Sequence, residues 1–79
     1  MTEPDLLAKI RHKIIAGELP REDCHVTWYG PGRGQPCAAC DLLVPATEVE
    51  VECDLPGGGV ICLHERCYDV WSMEWRAVH

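Results

Sequence analysis

The sequence predicts a small α+β domain, and three observations carry that prediction. Apolar residues recur at helical spacing within the first 16 residues. Strict alternation over 47–54 leads through a glycine-rich turn into an apolar run at 60–63. A second helical stripe then follows over 64–78. With 79 residues there is room for one compact domain. A chain of that length buries only about 60 % of the surface it exposes when unfolded, so it needs a staple such as disulfides, a metal or a partner subunit. Six cysteines point to which kinds are available.

The first helix is expected over residues 2–16. Leu7, Ile10 and Ile14 form its apolar stripe with Leu6 beside them, and Lys9 and Lys13 lie off it. Thr2 reads as the N-cap, with Asp5 three residues on and Pro4 in the first turn, where its missing N–H costs little. Gly17 closes the helix and Pro20 blocks its return. Residues 24–29, rich in β-branched and aromatic side chains, read as a short strand. Residues 30–36 hold three glycines and two prolines and read as a connector. A phosphate cradle there would want a following Gly-Lys-Ser/Thr and a helix, and neither is present. In the hairpin, Val49, Val51 and Cys53 point one way, and Glu48, Glu50 and Glu52 the other. Cys67, Trp71, Trp75 and Val78 form the stripe of the last helix. Residues 1–36 are thus a helix, strand and loop packed on a metal-binding unit at 37–79, in one compact domain.

The chemistry lies in the spacing Cys37-x2-Cys40, 23 residues, His64-x2-Cys67. A Cys-x-x-Cys turn brings two sulfurs to one ion. Residues three apart at a helix start are neighbours. Three thiols and an imidazole are a donor set for tetrahedral zinc, so one Zn²⁺ per chain is expected on Cys37, Cys40, His64 and Cys67. Cys62 replacing His64 is the less simple alternative. The pattern resembles the first zinc module of LIM domains and, more broadly, a treble-clef zinc finger, over residues 37 to about 78; no second Cys-x-x-Cys follows. The resemblance implies a cysteine knuckle, a β-hairpin and a C-terminal helix around a structural zinc, often in a protein- or nucleic-acid-binding role.

The remaining residues are read as structural. Cys53 is a small buried hydrophobe with Cys62 on the opposing strand, and the two are expected as packed thiols. Cys24 and His25 pack, with His25 as a metal-supporting group the alternative. His12 and His79 are solvated. Trp28, Tyr29, Trp71 and Trp75 are expected to form the core, given the absence of Phe. The glutamate face is expected to be solvated, with an acidic docking patch as its functional alternative. Serine at Cys40 or Cys67 should unfold the domain, and serine at Cys24 should be tolerated.

Charge narrows the function classes. The net charge is −6, and residues 37–79 carry all of it, with eight acids and two bases. That is the wrong sign for a nucleic-acid face. The N-terminal stretch lacks the basic start and apolar run of a signal peptide, and no segment has the length of a membrane span. The expected setting is therefore the reducing cytoplasm, where cysteine clusters bind metal more often than they form disulfides. The carboxylates lie on an open strand face, and four protein ligands leave a metal no position for water, so catalysis is not expected. The leading reading is a small zinc-stabilised protein-interaction or regulatory module. It involves no membrane and no evident small-molecule substrate. The alternatives are a nucleic-acid-binding regulator using Lys9, Arg11, Lys13, Arg21 and Arg33, and a thiol redox protein using Cys37 and Cys40.

Overall fold

The structure is a computed structural model that describes residues 2–77. It is a small α+β fold with element order α1 (Glu3–Ile15), β1 (Val26–Pro31), β2 (Val49–Asp54), β3 (Val60–His64) and α2 (Glu65–Ala77). The strands form one antiparallel sheet in the order β1-β2-β3. No helix among the described residues is long and apolar enough to cross a membrane. Val78 and His79, placed by the sequence on the last helical stripe and in solvent, lie outside the described residues.

Helix α1 begins at the predicted cap: the Thr2 side chain accepts from the Asp5 N–H and donates to the Asp5 carboxylate. It ends where Gly17 and Glu18 donate to the carbonyls of Ile14 and Lys13. Its buried stripe is Leu6, Ile10 and Ile14, with Leu7 half-buried, so the helix is rotated from the expected Leu7-centred phase. This face packs with Leu19, Val44, Leu63, Trp71 and four of the cysteines (Cys37, Cys40, Cys53 and Cys67) in one core. Trp71 is buried because its indole N–H reaches the Pro20 carbonyl at 3.0 Å.

Val51, Cys53 and Leu63 face α2, as the alternation predicts. Leu55, Gly58 and Gly59 close the β2–β3 turn through two backbone hydrogen bonds. Gly58 and Gly59 take φ of +96° and +90°, which side chains rarely adopt. Residues 32–35 continue the ladder beyond β1: Gly32 donates to the Glu48 carbonyl, Gly34 to Val44, and Val44 back to Gln35, each at 2.9 Å. A Cβ on Gly32 would collide with the carbonyl oxygens of Pro45 and Val44. Gly32→Ala is therefore expected to destabilise the fold by about 1–3 kcal/mol, read as a lowered midpoint in urea.

Four expectations are corrected. Cys53 is disulfide-bonded to Cys24, with Cα atoms 5.3 Å apart. Its cross-strand partner in β3 is Ile61, whereas Cys62 pairs with Glu52. An offset of one residue puts Cys62 on the opposite face of the sheet, so the two packed thiols do not exist. Trp28 and Tyr29 are 58 % and 59 % exposed rather than core, because β1 is an edge strand and only one face of the sheet is covered by α2. Tyr29 retains an edge contact with Tyr68 of α2. Glu50 is buried, not solvated, because Arg33 reaches back from the glycine loop and covers it. Val49, at the strand end, is exposed.

Candidate metal centre

Two backbone devices bring the ligand candidates together. The first is a tight knuckle over 36–43, closed by a bridge between Pro36 and Leu43. Within it Cys37 donates to the Leu42 carbonyl and Asp41 to the Cys37 carbonyl, at 2.8 and 2.9 Å. Asp41 takes φ of +70°, a conformation that aspartate tolerates better than most residues. The second is the junction of β3 and α2. His64 ends the strand and Cys67 lies in the first helical turn, so the pair straddles the junction rather than sitting wholly on a helix. A hydrogen bond from Ala38 N–H to the Cys62 carbonyl, 2.8 Å, holds the knuckle against β3.

The ligand atoms of Cys37, Cys40, His64 and Cys67 all lie within 4.8 Å of one another, and the group could hold a metal ion. His64 Nδ1 is 3.3 Å from Cys40 Sγ and 3.8 Å from Cys67 Sγ. Its Nε2 is 3.1 Å from the Leu43 carbonyl. A carbonyl only accepts, so this contact places the proton on Nε2 and leaves the Nδ1 lone pair facing the sulfurs. The three cysteines are buried and His64 is half-buried.

The electrostatics suit a cation at the centre. The Cys37 thiol is lowered to about 4, chiefly by a hydrogen bond from Cys67 and also by the N–H groups of Cys40, His64 and Ala39, against burial, which raises it. Cys67 is raised, first by giving its proton toward Cys37 and then by burial; Cys40 is raised by burial and by the charge on Cys37. Without an ion, one buried thiolate thus suppresses ionisation of its two neighbours. An ion among them reverses that order.

Helix α1 contributes what the sequence spacing did not reveal. Lys13 Nζ donates to the Ala38 carbonyl at 2.9 Å, and Lys9 Nζ to the Cys40 carbonyl at 3.0 Å. Both also pair with Asp41, at 2.5 and 3.0 Å, and Lys13 foremost holds that carboxyl below its ordinary value. Three thiolates around a divalent ion would leave one negative charge, and two ammonium groups grip the backbone of the knuckle that carries it. The only sequence hint was two lysines four residues apart beside the apolar stripe.

Other candidates lie elsewhere. Cys62 is on the outer face near Arg33 and Glu52, not among the four donors. His25 is exposed at the end of β1 that pairs with Asp54, whereas His64 pairs with Glu50 at the other end of β2, so His25 supports no ligand. The proposed phosphate-contacting bases are engaged internally: Lys9 and Lys13 with Asp41, Arg11 with Glu74, Arg33 with Glu50 and Glu52, and Arg21 also interacts within the chain. Arg66 and Arg76 pair with Glu3 and Asp23. The chain matches no protein-family model, no curated protein and no solved structure.

Proposed function

We propose that the chain is a zinc-stabilised protein-interaction or regulatory module, with a treble-clef-like finger as its centre. The observation that carries the reading is the convergence of three sulfurs and His64 Nδ1 within 4.8 Å, with the other histidine nitrogen anchored on Leu43. Three cysteines and one histidine are a structural zinc set. Soft thiolates with imidazole fit zinc better than calcium or magnesium. The order of knuckle, β2–β3 hairpin and α2, with ligands on the knuckle and at the start of the helix, supports the likeness to a treble clef. The metal would order the chain and so fix the surfaces around it. The internal pairing of the basic side chains and the net charge of −6 favour a polypeptide partner over a nucleic acid.

The test has two arms. Elemental analysis of the purified chain should give one zinc per molecule. Capture with the zinc-loaded chain from its own cell extract should recover polypeptide. Recovery of nucleic acid alone, or a native metal-free chain with an alkylatable Cys37, would overturn the reading in favour of a nucleic-acid regulator or a thiol redox protein.

A pH dependence follows. Cys40 and Cys67 are raised in the site, and the thiols of an unfolded chain ionise only at about pH 8.5, so before zinc binds these cysteines hold their protons at neutral pH and zinc must displace them. Zinc affinity should therefore rise with pH and fall on acidification. The expected fall is about tenfold per pH unit for each thiol that must lose its proton. Competition against a chromophoric chelator over a pH series measures it.

A further inference from the structure

The face of the sheet turned away from α2 has features that the metal centre does not require. A hollow of about 240 Å³ opens there, lined among others by Trp28, Gly30, Arg33, Glu50 and Glu52. Trp28 and Gly30 are neighbours on that face of β1, opposite Glu52 and Glu50 in the register. Gly30 forms the floor. A Cβ built on it would meet nothing within 4 Å, and its φ is not in the left-handed region. Neither packing nor backbone conformation therefore calls for glycine at this strand position, where glycine weakens a sheet and often marks close approach by another group.

The walls are charged and aromatic. Arg33 lies between Glu50, at 2.8 Å, and Glu52, at 2.8 Å. One guanidinium against two carboxylates leaves one negative charge, and Asp54 adds another beside the Trp28 indole N–H, which donates to it at 3.4 Å. The Arg33 side chain shows that a guanidinium fits between these carboxylates. Trp28, pinned by Asp54 and 58 % exposed, offers a ring to a second cation. Strand β1 is an edge of the sheet, open to an added strand.

We propose that this face docks an extended basic segment of a protein partner, seating one arginine or lysine side chain in the hollow over Gly30 between Trp28 and the Glu50–Arg33–Glu52 cluster. This rests on the reading of the chain as an interaction module and names the chemistry of its partner. Charge complementarity selects the occupant. A second copy would bring Glu52 and Asp54 against their own equivalents on a chain of net charge −6, and a nucleic acid would meet the same repulsion.

The test titrates the full zinc-loaded chain with a hexapeptide of alternating arginine and valine, with a glutamate-valine peptide as control, and follows amide and indole signals by NMR. Binding of the arginine peptide should shift Trp28, Gly30 and Glu52 and weaken as salt is added. Gly30→Val should retain zinc and fold, because nothing obstructs its side chain, and lose about tenfold or more in affinity. Equal binding by Gly30→Val, shifts centred on other residues, absence of binding at low salt, or a dimer that occupies this face would overturn the proposal. The two readings fail separately. If Gly30→Val still captures the same polypeptide from cell extract, the hollow is wrong and the interaction reading stands. If the unaltered chain captures no polypeptide at all, both fall.

Discussion

Removal of zinc with a strong chelator should unfold the chain, and Cys67→Ser or Cys40→Ser should do the same. The reason lies in the composition of the core. Cys37, Cys40 and Cys67 are themselves buried members of it, beside Leu6, Ile10, Ile14, Leu63 and Trp71. An ion held by the four residues would tie the knuckle to the β3–α2 junction, and α1 is tied to the knuckle through Lys9 and Lys13. Losing the ion therefore releases contacts in every layer. Structural zinc contributes about 10–16 kcal/mol of apparent binding free energy in small fingers. That matches or exceeds the whole stability of a typical domain, about 5–15 kcal/mol. The expected readout is loss of far-ultraviolet helix signal and of the near-ultraviolet signal of buried Trp71, both restored on adding zinc to the chelated wild-type chain. A chelated chain with unchanged spectra would contradict a folding role for the metal.

The second large effect separates the disulfide from the metal. Cys24 and Cys53 are 29 residues apart in sequence and enclose the first ligand pair, Cys37 and Cys40. Loop-closure entropy for a span of this size is worth about 3–4 kcal/mol. Cys24→Ser should therefore lower the melting temperature by more than about 10 °C while the chain still binds one zinc. This reverses the tolerance expected when Cys24 is taken for a packing residue. A variant with unchanged melting temperature would show that the bond does not constrain the unfolded chain.

The parts legible in sequence were those governed by local spacing. The Thr2–Asp5 cap, the glycine turn at 57–59 and the convergence of Cys37, Cys40, His64 and Cys67 each rest on a few neighbouring residues or on two compact motifs. What escaped depends on register and tertiary reach. The Cys24–Cys53 bond requires knowing that β1 pairs with β2 and that Cys62 is one residue out of phase with Cys53. The burial of Glu50 requires Arg33 to fold back over it from a loop whose composition suggested only a connector. The burial of Leu6 in place of Leu7 depends on where α1 meets the knuckle, since adjacent helical positions differ by about 100° and both are leucine. The exposure of Trp28 follows from the absence of a second layer over the outer face, and that of Tyr29, which is on the α2 side, from its place on an edge strand; aromatic content alone reveals neither.

The most direct test of the central claim is X-ray absorption at the zinc edge of the purified chain. Coordination by Cys37, Cys40, His64 and Cys67 predicts three sulfurs at about 2.3 Å and one nitrogen at about 2.0–2.1 Å, the nitrogen signal disappearing in His64→Cys with zinc retained. A shell of four sulfurs in the unaltered chain, an oxygen-dominated shell, or a purified chain that binds no zinc would contradict it.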